Sequence, residues 1–228
     1  MSSNSIIVQR PECEVSQLVL LMHGVGSTPL SMVGVARWFA NRDQAAMVVS
    51  VASPDPSDIS SGQQWFSVRG VTEENRPARV AAAMPAFVET VQHWQQVGGV
   101  DPQRTLIAGF SQGAIMALES TKLAYPPALQ IVAFAGRFAS PPDRRTHAAI
   151  HLLHGESDPV MPVALALAAQ SRLVELGTDV TLDLMQGVGH EPHPALLERL
   201  SVRLASHTAN RQDVVCSPVA PVHPSSAP

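Results

Sequence analysis

The chain has 228 residues, 45 % of them hydrophobic, with a formal net charge of −4 and a pI of about 6.1. This is enough apolar material for one domain with a sizeable core, and the absence of a Lys/Arg block argues against a nucleic-acid partner. Met1–Arg10 has no basic n-region or long apolar run, and no stretch approaches about 18 uninterrupted apolar residues, so a cytoplasmic protein with no signal peptide and no integral membrane association is expected.

In chain order, a short strand is expected at Ser5–Val8, then strands at Gln17–Met22 and Ala46–Val51 with a helix over Leu30–Arg42 between them. Cys13 lies in the first stretch and Cys216 in the tail, too far apart to suggest a structural disulfide, which fits a reducing compartment. The longest helix is predicted over Glu74–Val97, with Val80, Met84, Phe87, Val88, Val91 and Trp94 at three- and four-residue spacing and a kink near Pro85. Strand Arg104–Gly109, helix Ser111–Leu123 and strands Gln130–Ala133 and Ala149–Leu153 follow. Helix Val163–Leu176 should stop at Gly177, before strand Asp179–Met185 and helix Pro194–Ser206. Near-continuous apolar runs alternating with helices imply an α/β fold with a mostly parallel sheet covered on both faces. Residues 1–209 form the expected domain. Residues 210–228, with Pro218, Pro221, Pro224 and Pro228, read as a tail without fixed structure.

The strongest chemical signal is Gly109-Phe110-Ser111-Gln112-Gly113, placed between a strand and a helix. Strand, Gly-x-Ser-x-Gly, helix is the layout of a nucleophile elbow. The turn is so sharp that its flanking positions must lack bulky side chains, and the following helix N-terminus favours negative charge beside the serine. A serine hydroxyl needs a base, and the base needs an orienting acid; in this architecture they follow in the order Ser, Asp or Glu, His. Asp158, just after the strand ending at Leu153, is the acid candidate, with Glu156 competing. His190, after the last strand, is the base candidate; His193 is three residues on but precedes Pro194 and should open the final helix. An oxyanion would be held by backbone amides, one from Gln112 and one from Val25, whose neighbours Gly24 and Gly26 let the backbone approach a substrate oxygen. His23 is read as a loop-stabilising residue.

Two rival motifs fail on spacing. Gly24-Val25-Gly26 could begin a dinucleotide fingerprint, but its third glycine position is Pro29. His190-Glu191-Pro192-His193 has one residue too few between Glu and the second His for a metalloprotease helix, so neither metal nor cofactor is expected.

Together, Leu20-Leu21-Met22-His23-Gly24-Val25-Gly26, Gly109–Leu118, His154-Gly155-x-x-Asp158-Pro159-Val160 and Gly189-His190-Glu191 resemble the phospholipase/carboxylesterase family of α/β-hydrolases, which includes small bacterial carboxylesterases and acyl-protein thioesterases. The resemblance implies an α/β-hydrolase fold and a serine carboxylesterase acting on small-molecule esters or thioesters. It implies a Ser111–His190–Asp158 triad with Val25 and Gln112 as oxyanion donors. Two positions depart from the family pattern: Ser27 and Ser67 stand where acidic residues are usual. Trp65 and Phe66 either line the acyl or alcohol site or pack the loop. Only Ala135–His147 separates two strands where larger relatives insert a cap, so no cap domain is expected. An acyltransferase with the same triad, a silent binding protein on the same scaffold, and a homodimer stay open.

Overall fold

The computed structural model describes residues 4–215. Its centre is a seven-stranded sheet in the order β1-β3-β2-β6-β7-β8-β9. The strands are β1 (Ile6–Gln9), β2 (Leu18–Met22), β3 (Met47–Val51), β6 (Thr105–Phe110), β7 (Gln130–Phe134), β8 (Ala149–Gly155) and β9 (Val180–Met185). Only β1 runs antiparallel to its neighbour; the other pairings are parallel. A separate two-stranded piece pairs β4 (Asp55–Pro56) with β5 (Gln63–Gln64).

The continuous apolar runs of the sequence become strands buried on both faces. All five residues of β2, β3 and β7 are buried, as parallel strands covered by helices should be. Their side chains alternate between two cores. Leu18, Leu20 and Met22 face one with Ile107 and Ile131; Val19 and Leu21 face the other with Leu106, Ala108 and Val132. The first core is closed by Val80, Met84, Phe87 and Val91 of α2 (Arg76–Gly98), by Ala114–Leu118 of α3 (Gln112–Ser120) and by Ala169 and Leu173 of α4 (Val163–Glu175). The second is closed by Val35, Ala36 and Phe39 of α1 (Val33–Ala40) and by Leu196, Leu197 and Leu200 of α5 (Pro194–Val215).

Where element bounds differ from those expected, the causes are local. The first helix opens with a 3₁₀ turn, Pro29–Met32, before α1 begins at Val33. Helix α2 is unbroken through Pro85, whose ring lies on the exposed side. Gly177 ends α4 with φ 71°. Helix α5, expected to end at Ser206, runs on to Val215, because no proline or glycine interrupts residues 207–215. It thus takes in residues 210–215 of the expected tail; residues 216–228 lie outside the described residues. Residues 135–148, between β7 and β8, form no helix or strand, so no cap is inserted there. No helix among the described residues is long and apolar enough to cross a membrane.

Candidate active site

Parallel strands put the loops after β2, β6, β8 and β9 on one edge of the sheet, where ligand crevices form in open α/β folds. Val25, Ser111, Asp158 and His190 sit in these four loops, Gln112 opens α3, and Trp65 and Phe66 follow β5.

Ser111 is the one residue between β6 and α3. Its backbone is at φ 53°, ψ −113°, a conformation that costs a non-glycine residue about 1–3 kcal/mol. The turn is held by the Ser111 amide, which donates to the Phe134 carbonyl of β7 at 3.0 Å. The two glycines of the motif are close-approach positions. A Cβ on Gly109 would lie 2.5 Å from the Ala114 nitrogen, and one on Gly113 would lie 2.3 Å from the Met22 carbonyl oxygen. Sequence therefore fixes the elbow by space as much as by torsion.

Asp158 follows β8 in a tight turn, its side chain fully buried. Its Oδ1 accepts from the Val160 and Met161 amides, both at 2.8 Å. Its Oδ2 lies 2.7 Å from His190 Nδ1. Burial is the largest influence on this carboxyl and pushes its pKa up. The Met161 amide, His190 and the Val160 amide together outweigh it, so the group is held below the usual carboxylate range. An ionised carboxylate only accepts, so Nδ1 of His190 carries a proton and Nε2 is left as the acceptor. Ser111 Oγ lies 2.9 Å from that Nε2 and donates to it. The imidazole also packs on Phe110 at 4.9 Å.

Glu156, the competing acid, is exposed. His193, the competing base, opens α5: its Nδ1 accepts from the Ala195 amide at 3.1 Å. His154 is buried at the end of β8 and donates from Nε2 to the Met161 carbonyl at 2.7 Å, bracing the turn that carries Asp158. Strand β8 runs two residues beyond the expected Leu153, to Gly155.

The loop after β2 is braced from two sides. His23 Nδ1 donates to the Gly24 carbonyl at 2.8 Å and its Nε2 accepts from the Ser53 amide at 3.2 Å. One donor and one acceptor are used, so the ring is neutral, and burial lowers its pKa further from the ordinary histidine value. Gly26 and Ser27 pair with Gln63 at 2.8 and 2.7 Å. Among the described residues the Val25 amide has no acceptor, and the Gln112 amide, first in α3, has no intrahelical one. Both residues line one cleft of about 520 Å³ with Ser111, Phe66, Val68, Ile115, Met161 and Leu165.

Trp65 and Phe66 part company. Phe66 lines the cleft. Trp65 does not: it is 2 % exposed, its Nε1 donates to the His23 carbonyl at 2.9 Å, and its ring stacks edge-on to Phe87 at 5.4 Å. The indole is a loop anchor, not a cleft wall. A feature with no sequence signal is the Gln112 side chain, which accepts from the Trp65 amide at 2.8 Å and donates to the Phe66 carbonyl at 2.7 Å. Of the two departures from the family pattern, Ser67 donates to Asp58, and Ser27 serves through its backbone pairing with Gln63. Among the described residues no group of three or more His, Cys, Asp or Glu is arranged to hold a metal ion.

Comparison with known proteins identifies the family and the fold. The model of the phospholipase/carboxylesterase family matches residues 3–208. Esterase YpfH of Escherichia coli (strain K12) is 49 % identical over 191 residues, covering 83 % of this chain and 82 % of YpfH. Acyl-protein thioesterase 1 of Neurospora crassa is 26 % identical over 204 residues, covering 80 % and 82 %. The crystal structure of esterase PE8 superposes with a TM-score of 0.79 at 25 % identity, covering 89 % of this chain and 98 % of PE8. The chain belongs to the phospholipase/carboxylesterase family, on an α/β-hydrolase fold.

Proposed function

We propose that this carboxylic ester hydrolase works through an acyl-enzyme on Ser111, with His190 as base and Asp158 as its orienting acid. The observation that carries the reading is the unbroken hydrogen-bond chain: Ser111 Oγ to His190 Nε2 at 2.9 Å, and His190 Nδ1 to Asp158 Oδ2 at 2.7 Å.

Ser111 Oγ attacks the ester carbonyl carbon as its proton passes to His190 Nε2. The carbonyl oxygen becomes an oxyanion and accepts from the Val25 and Gln112 amides, with the α3 N-terminus adding to the favourable field. The tetrahedral species collapses, the carbon–oxygen bond to the alcohol breaks, and His190 returns its proton to the leaving oxygen. Water then attacks the acyl-serine, giving a proton to His190; the acyl–Oγ bond breaks as His190 returns that proton to Ser111 Oγ, and the acid is released. A thioester would follow the same steps with a thiol leaving. The exposed free thiol of Cys13 suits a reducing, cytoplasmic setting.

Labelling with a fluorophosphonate, followed by peptide mapping, tests the assignment. The expected adduct is on Ser111, with loss of p-nitrophenyl ester hydrolysis in proportion to labelling. Full activity in a fully labelled protein would overturn it.

A further inference from the structure

The cleft beside Ser111 is apolar except on one wall, where Glu73, Arg76 and Arg137 meet. Arg137 grips Glu73 with both terminal nitrogens, Nη1 to Oε1 at 3.1 Å and Nη2 to Oε2 at 2.6 Å. Arg76 Nη2 donates to the same Oε1 at 2.7 Å. The two guanidiniums belong to the wall: their side chains are 17 % and 15 % exposed, whereas that of Glu73 is 60 % exposed. Two fixed positive charges therefore share one carboxylate that sits outermost, leaving an uncompensated positive charge against an apolar cleft. The Arg76 Nε is buried and has no acceptor among the described residues. Through these hydrogen bonds Arg137, then Arg76, hold the Glu73 carboxyl below its usual range.

From these residues we infer that the preferred substrates carry a second, free carboxylate on the acyl part, bound by Arg76 and Arg137 in place of Glu73. The inference rests on the serine-esterase reading and names the substrate class within it. The bidentate grip on Glu73 is the geometry an arginine offers any carboxylate, so Glu73 marks the position an incoming carboxylate would take. Being exposed, Glu73 can swing into solvent when displaced. The acyl side is indicated by what lines the cleft. Ser111, Val25 and Gln112 do, while His190, which must protonate the leaving oxygen, does not. The alcohol thus departs on the His190 side, and this cleft holds the acyl group.

The test compares p-nitrophenyl half-esters of glutaric and adipic acid with p-nitrophenyl valerate and hexanoate, matched in carbon number and corrected for enzyme-free hydrolysis. In the intact protein kcat/KM should be about tenfold or more higher for the half-esters, and the ratio should fall with added salt. Arg137→Gln and Arg76→Gln should each reduce that ratio about tenfold, as expected for a charge-assisted hydrogen bond. Glu73→Gln, at an exposed position, should raise it by removing the internal competitor; a merely structural ion pair would not give this rise. A ratio at or below one in the intact protein, or one unmoved by all three substitutions, overturns the inference while leaving the esterase reading intact. Failure to turn over any of the four esters overturns both.

Discussion

Gly113 and Met22 meet backbone to backbone: a Cβ on Gly113 would stand 2.3 Å from the Met22 carbonyl oxygen and 2.8 Å from that of His23. The contact joins the first turn of α3 to the strand end that feeds the Val25 loop. Gly113→Ala should therefore push the serine turn and the Val25 loop apart. Overpacking of this kind costs about 1–3 kcal/mol, or roughly 2–12 °C in Tm for a domain of this size. Thermal unfolding and ester hydrolysis of the variant check this. Both unchanged would mean that the contact does not constrain the site.

Ser111→Ala should lower kcat for ester hydrolysis by about 10⁴-fold or more. Alanine keeps the backbone and removes only the hydroxyl that donates to His190. Residual turnover near the original rate would show that the nucleophile lies elsewhere.

His190→Ala should be nearly as damaging as Ser111→Ala, because nucleophile and base act as a unit. His193→Ala should leave kcat within a few-fold. Its ring accepts a helix-opening amide, a contact whose loss costs about 1 kcal/mol of stability. The opposite ranking, measured as kcat on one ester, would exchange the two assignments.

His23 should make stability fall in mild acid. Its folded pKa is lowered by burial, so the neutral ring stabilises the fold above the unfolded value of about 6.5. As pH drops below that value the unfolded chain takes up a proton that the folded protein resists, until the lowered folded pKa is passed. In that window one such group contributes a slope of up to about 1.4 kcal/mol per pH unit. Urea unfolding between about pH 7.5 and 5, for the natural protein and His23→Gln, should show a shallower pH slope in the variant. Identical slopes would mean His23 titrates normally.

The sheet and the serine turn were legible in the sequence for definite reasons. Buried parallel strands leave runs such as Leu18–Met22 and Ile131–Phe134 with no polar interruption. The elbow's spacing leaves Gly109 and Gly113 on either side of Ser111. Chain order limited the acid to Asp158 or Glu156, and Pro194, directly after His193, set that histidine apart from His190. What could not be read is what depends on side chains meeting across long sequence gaps. Glu73 and Arg137 are 64 residues apart, and Trp65 and Gln112 are 47 apart; neither pair leaves a periodic trace. Burial likewise hid the role of Trp65, since an aromatic beside a site motif reads the same whether it faces the cleft or the core. The end of α5 was missed because its last turns lose the apolar spacing while keeping residues that a helix tolerates.

Gln112 couples two things that are usually separate. In the proposed mechanism its main chain offers an amide to the reacting oxygen, while its side-chain amide is stitched to Trp65 and Phe66 as a neighbouring strand would be. The wall that touches the substrate and the dipole that steadies its charge are thus one mechanical part. An acyl chain too wide for Phe66 could not simply push that wall aside; it would drag the amide off target as well. Selectivity for acyl width should consequently be written into the turnover step, with poorly fitting esters held yet slowly cleaved.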